Sequence, residues 1–349
     1  METLWFWLIA IMLAGYVILD GFDLGVGILH LWIANTDAER RTVIRSIGPV
    51  WDGNEVWILA AGGTLYFAFP ALYASSFSGF YLPLMMVLWL LILRGISLEF
   101  RGHVTEPIWA KLCDAIFWLA SVLLTIFYGA ALGNVVRGVP LDANGQFFEP
   151  LWTNFMPSGQ TGILDWYTVL VGIVALAVIT LHGATWLAYK TEGELHSKSV
   201  RAASAIWWLV AFFTVALTLV TFLLLPHHFD NFRSAPWGFI FPLIAIAGLL
   251  GIAWTNGRKD KVAFLASCTY LAGMLTSVAF SLYPNVLPAS TDRAYSLTVT
   301  NAHAGEYGLK IGAIWWLIGM ALAVGYFRFV YGTFGGKVSD VESDRGAEY

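Results

Sequence analysis

The chain has 349 residues, 58% of them apolar and 12% charged, with a formal net charge of −4. That charged fraction is about half the average of a soluble domain, so water is not the main solvent of its surface, and the mean hydropathy of +0.69 agrees. A mildly acidic chain with no basic stripe interleaved with aromatics also lacks the electrostatic footprint of a nucleic-acid binder.

Apolar runs near the 20 residues needed to cross a hydrocarbon core recur along the chain, separated by turn-forming residues. They predict helices over 4–33, 51–69, 77–98, 113–136, 164–189, 202–225, 236–254, 262–282 and 309–332. The expected fold is an all-α polytopic membrane protein of about nine transmembrane helices, one membrane domain over 1–349. The spacing allows four-helix groups at 1–136 and 164–282 with a last helix at 309–332. The first run lacks a basic leader, continues past Leu19 and carries two aspartates, so it reads as a retained helix and not a cleaved signal. After it, 37–49 opens with Asp37 and Glu39 and closes before Pro49, the pattern of an amphipathic interfacial helix. The longest connections, 137–163 and 283–308, are rich in Pro, Gly, Asn and Ser. Cys113 and Cys268 have no CxxC or Cys/His spacing and read as small apolar core residues.

Basic residues are retained on the cytoplasmic side of a membrane protein. With the N-terminus outside and the C-terminus in the cytoplasm, the inner segments collect Arg40, Arg41, Arg45, Arg94, Arg101, Lys111, Lys190, Lys198, Arg201, Arg258, Lys259, Lys261, Arg328, Lys337 and Arg345. The outer ones keep Arg137, Arg233, Arg293 and Lys310. Trp5, Trp7, Trp109, Trp152, Trp166, Trp237 and Trp254 near span ends read as interfacial anchors.

The chemistry is expected where acids enter the first two spans. Asp20 and Asp23 are three apart and share a helix face. Each aspartate at mid-span costs about 2.5–3.5 kcal/mol on insertion scales, against a gain of about 0.3–0.6 for one Leu or Ile. Such a pair must face protein or water. The second span opens on Trp51, Asp52, Gly53, Asn54, Glu55, Val56 and Trp57, with Asp52 and Glu55 again three apart. All four acids fall toward the cytoplasmic end and are positioned to line a proton pathway, with Trp51, Asn54, Trp57 and Arg94 in support. Crowded like charges and removal from water both disfavour ionised carboxyl groups, the condition for proton exchange near neutral pH. The structural alternatives are helix capping by Asp52 and Glu55 and an ion pair from Asp20 or Asp23 to Arg94.

Gly21 and Gly25 form a small-xxx-small spacing that suits close helix approach. Gly15, Gly27, Gly53, Gly62 and Gly63 populate the same spans, where a cofactor passing near the backbone is the other reading. His182 lies within the fifth span, and His30 near the cytoplasmic end of the first. His182 reads first as a hydrogen-bonded core histidine, with proton relay and haem ligation as the alternatives. The histidine spacing demands no metal, and no catalytic residue is assigned to this chain.

These motifs carry a resemblance. Asp20-Gly21-Phe22-Asp23-Leu24-Gly25-Val26-Gly27, Glu39-Arg40-Arg41, Trp51-Asp52-Gly53-Asn54-Glu55-Val56-Trp57 and Phe77-Ser78-Gly79-Phe80-Tyr81 resemble subunit II of the cytochrome bd family of quinol oxidases. Gly193-Glu194-Leu195-His196, Tyr283-Pro284, Pro288-Ala289-Ser290 and Ser296-Leu297-Thr298 continue the match in order, over essentially the whole chain. The resemblance implies a bacterial inner-membrane heterodimer. Its subunit I carries haems b558, b595 and d, oxidises quinol and reduces O₂ to water. It further implies a cytoplasmic proton channel for Asp52, and assembly or proton access for Asp20 and Asp23. Some members have Gln in place of Glu55 or His182, which separates those two from a general role. A structural quinone or lipid in this subunit, and small single-helix subunits beside it, belong to some members. From the residues alone, a stand-alone proton-coupled transporter and a purely structural partner compete with the oxidase reading.

Overall fold

The computed structural model describes residues 1–338; Arg345, counted above among the cytoplasmic basic residues, lies outside the described residues. The elements are α1 (Glu2–Ile33), α2 (Asp37–Arg45), α3 (Trp51–Ala68), α4 (Pro70–Gly79), α5 (Tyr81–Phe100), α6 (Pro107–Arg137), α7 (Trp166–Lys190), α8 (Gly193–Leu224), α9 (Asp230–Ser234), α10 (Ile240–Thr255), α11 (Asp260–Leu282) and α12 (Glu306–Thr333). Among the described residues eight segments are long and apolar enough to cross a membrane: α1, α5, α6, α7, α8, α10 with its preceding turn, α11 and α12. The ninth expected span is α3, only 18 residues long. Asp52, Asn54 and Glu55 crowd its first two turns and lower its hydropathy.

Local chemistry sets the helix ends. In α2, Thr36 accepts from the Glu39 amide while the Glu39 carboxylate accepts from the Thr36 amide, a reciprocal cap. Asp165 starts α7 by accepting from the amides of Tyr167 and Thr168. Gly138 ends α6 at φ +89°, a conformation that side chains disfavour.

Several elements differ from expectation, among them α6, which starts at Pro107 and not at 113. The predicted 77–98 span begins at Tyr81, because Pro70 opens a separate short helix, α4, that ends at Gly79. α8 starts at Gly193 and not at 202, its polar first turns held by Leu195, Ser199 and Ala203, buried at four-residue spacing. The 283–308 connection contains two antiparallel strands, β1 (Asn285–Leu287) and β2 (Leu297–Thr298).

α1 and α7 form the centre. α1 packs against α3, α6, α7 and α11, and α7 packs against α6, α8 and α11, while α5 pairs with α6 and α10 with α11. The α1–α7 crossing is tight because glycine meets glycine: a Cβ on Gly25 would strike the Ile179 carbonyl and Gly183, and one on Gly183 would strike Gly25 and Val26. Bundles in lipid gain stability from such backbone approach. The long connections close one end, where Val139, Leu141, Phe147, Leu287, Leu297 and Val299 pack against Trp5, Phe69 and Leu309. Outward faces are apolar, as with Trp208, Leu223, Leu322 and Phe329, each at least 71% exposed, which suits hydrocarbon or a membrane partner.

Candidate functional site

Asp20 and Asp23 occupy the inward face of α1, and both are fully buried. Arg94 of α5, equally buried, grips Asp20 through two bonds: Nη1 donates to Oδ2 at 2.9 Å and Nη2 to Oδ1 at 2.5 Å. This fork geometry suits arginine and no other cation. The same guanidinium lies 3.7 Å from Glu55 Oε2 on α3. Asn54, also buried, donates to Asp23 Oδ2 at 2.8 Å and to the Leu19 carbonyl at 3.2 Å. The Tyr331 hydroxyl of α12 donates to Asn54 Oδ1 at 2.8 Å. Four helices therefore converge on one polar site inside protein.

The two aspartates differ in what they can do. Asp20 is locked to a permanent cation, the ion pair weighed from the sequence. Asp23 is held by a neutral amide, and its Oδ1 has no hydrogen-bond partner among the described residues. A buried carboxyl oxygen without a partner is costly, and it is a free position for a proton or a bound water. Glu55 faces Arg94 and takes no part in capping; α3 starts after Val50 without a side-chain cap.

Asp52 stands apart. It lies exposed in the first turn of α3, without a hydrogen bond or ion pair among the described residues. Trp51 packs on Gly95 of α5, and Trp57 lies over Gly15 of α1 with its ring 5.7 Å from Phe327. Both indoles shape the walls and make no hydrogen bond to the acids.

His182 has both ring nitrogens engaged. Nε2 is 2.9 Å from the Ile18 carbonyl, to which it donates, which leaves Nδ1 to accept from the Ser267 hydroxyl at 2.7 Å. The hydrogen-bonded core reading fits this environment. Among the described residues no group of three or more His, Cys, Asp or Glu is arranged to hold a metal.

Two polar clusters escaped the sequence reading. On the end of the bundle that gathers most basic residues, buried Asp114 of α6 accepts from His30 Nε2 at 2.7 Å, Arg101 Nε at 2.6 Å and Arg40 Nη1 at 3.1 Å. Arg101 also reaches Asp37 at 2.7 Å. Partial burial works to raise the Asp37 carboxyl, but hydrogen bonds and charge from Arg101 and Arg41 outweigh it and hold it below its ordinary value. Asp114→Ala leaves Arg101 without its buried anion, so we expect a loss of about 3–5 kcal/mol, read as a clear drop in the melting temperature of the solubilised protein. At the opposite end Arg137 donates to Asn134, Glu149 and Asp165, pinning the 138–165 connection. Burial pushes the Glu149 carboxyl up even with Arg137 beside it. Asp114 was legible only as a charge near a span start, and Arg137 only as one basic residue on the sparse side.

Residues 1–334 match the profile of the family described as cytochrome bd terminal oxidase subunit II. The chain belongs to the cytochrome bd terminal oxidase subunit II family. It is 31% identical to a probable cytochrome oxidase subunit 2 of Haemophilus influenzae, over 97% of this chain and 95% of that one. It is 30% identical to the cytochrome bd ubiquinol oxidase subunit 2 of Bacillus subtilis, over 98% of each. The fold is similar to a chain of the bd oxidase from Geobacillus thermodenitrificans, with a TM-score of 0.73 and 19% identity over 95% of this chain and 98% of that one. Family membership decides between the oxidase and the stand-alone transporter weighed from the residues: this is subunit II of a bd-type quinol oxidase, a multi-pass protein of the bacterial inner membrane, working within a haem-containing complex with subunit I.

Proposed function

We propose that this subunit II helps conduct protons from the cytoplasm toward the oxygen-reducing site of its partner. In this reading the haems b558, b595 and d belong to subunit I, where quinol is oxidised and O₂ becomes water. The N-terminus lies outside and the basic end faces the cytoplasm. Asp52 is the exposed acid at the mouth, Glu55 the half-buried acid behind it, and Asp23 the buried acid that takes up and releases the proton. Asp20 with Arg94 is the fixed ionic frame that keeps Asp23 and Glu55 in place. The observation that carries the reading is the Asp23 carboxyl, buried inside the bundle with one oxygen on Asn54 and the other unpartnered. We also read the helices as two four-helix groups, α1, α3, α5 and α6 against α7, α8, α10 and α11, with α12 outside both. Each first helix pairs with its second, and each third with its fourth.

The test is turnover in the assembled oxidase. Asp52→Asn and Asp23→Asn are each expected to slow O₂ reduction about tenfold, a barrier rise of about 1.4 kcal/mol, with haem spectra unchanged. Normal turnover in both variants refutes the proton role. Loss of the haems instead assigns these acids to assembly.

A further inference from the structure

The segment after α2, the last turn of α7, the start of α11 and the end of α12 enclose a cavity of about 450 Å³ at the basic end of the bundle. Trp186 and Phe264 wall it, and Arg45, Lys190, Lys261 and Lys337 line it with positive charge, while among the described residues no Asp or Glu contributes to the lining. None of the four cations has a carboxylate within ion-pairing distance among the described residues.

Lys190 decides what the cavity takes. It is 5% exposed, and its ammonium donates to the carbonyls of Phe334 at 2.6 Å and Gly336 at 2.5 Å, 5.6 Å from the centre of the Trp186 ring. Carbonyls and a ring face orient a cation without cancelling its charge. A buried ammonium without a counter-anion among the described residues is unfavourable, and three further cations beside it repel one another. Such a cluster of cations suits an anion. An apolar, aromatic inner wall beneath a basic rim at a helix end matches a molecule with a charged head and an apolar body, and basic pockets between membrane helices take acidic headgroups.

We propose that this cavity is a binding site for an anionic phospholipid. Its phosphodiester sits among Arg45, Lys190, Lys261 and Lys337, and its glycerol and first methylenes lie against Trp186 and Phe264. The lipid completes the contact between the ends of α7 and α12 that Lys190 begins. Tyr331 lines the same cavity and holds Asn54, so occupancy steadies the buried acid site from below.

The test uses the complete oxidase purified in mild detergent, with bound lipid measured by native mass spectrometry. Arg45 and Lys261 make no side-chain hydrogen bond to the described residues, so Arg45→Gln with Lys261→Gln leaves the hydrogen bonds and ion pairs among the described residues intact. Retained phosphatidylglycerol and cardiolipin are expected to fall about tenfold relative to phosphatidylethanolamine, with haem content unchanged. Vesicles of phosphatidylglycerol are expected to restore the melting temperature of delipidated oxidase, and phosphatidylcholine vesicles are not. Equal lipid retention by variant and parent overturns the proposal, as does equal stabilisation by inorganic phosphate, which would make the site one for the free ion. Retention that appears only after residues 339–349 are removed also overturns it, assigning the counter-charge to the chain's own Asp340, Glu342, Asp344 and Glu348.

Discussion

Arg94→Ala is expected to destabilise the subunit by about 3–5 kcal/mol, because it strands the fully buried Asp20 carboxylate and removes the cation facing Glu55. The measurement is the yield of haem-containing oxidase from membranes, with the melting temperature of whatever assembles. Arg94→Lys restores charge without the two-pronged geometry, so it recovers only part of the loss. Combining Asp20→Asn with Arg94→Gln removes both charges, and this pair is expected to be more stable than Arg94→Ala. A double variant no better than Arg94→Ala would show that Asp20 gains nothing from its partner.

Gly183→Val is the second large effect. A Cβ at this position falls on the backbone of Gly25 and Val26, and backbone cannot rotate away as a side chain would. Overpacking costs about 1–3 kcal/mol where neighbours can shift; here α7 must move off α1, carrying His182 away from the Ile18 carbonyl. The expected result is no assembled oxidase from Gly183→Val and reduced yield from Gly183→Ala. Gly102→Ala, with open space around it, is the control and leaves the yield unchanged. Normal assembly of Gly183→Val would mean that the α1–α7 crossing tolerates separation.

Much of this was legible because lipid imposes a length and a polarity on every span. Long apolar runs marked eight of the nine expected spans, with α3 the short exception, and the charge expense of Asp20 and Asp23 marked where side chains had to face protein. Arg94 was within reach of Asp20 by depth alone, so their pairing was open to inference. Asn54 was legible as support through its place between Asp52 and Glu55. Tyr331 was not, since it joins Asn54 from the last helix and no local pattern links the two. Asp114 escaped for a related reason: its partners come from three separate stretches of the chain, His30 in α1, Arg40 in α2 and Arg101 just after α5. Hydropathy averages also blurred short features, such as the restart of the chain at Pro70 and the strand pair in 283–308. Asp52 is the converse case, for its motif announced it clearly and its side chain stands outside the buried cluster.

The hydrogen bond from Tyr331 to Asn54 carries a consequence for biogenesis. The amide leaves the ribosome 277 residues before the phenol that completes it. Early in synthesis the Asn54 carbonyl oxygen has no Tyr331 beside it, and insertion of α12 caps it. Maturation of the site is thus coupled to synthesis and insertion of α12, and a product truncated before Glu306 carries an unfinished polar centre into the bilayer.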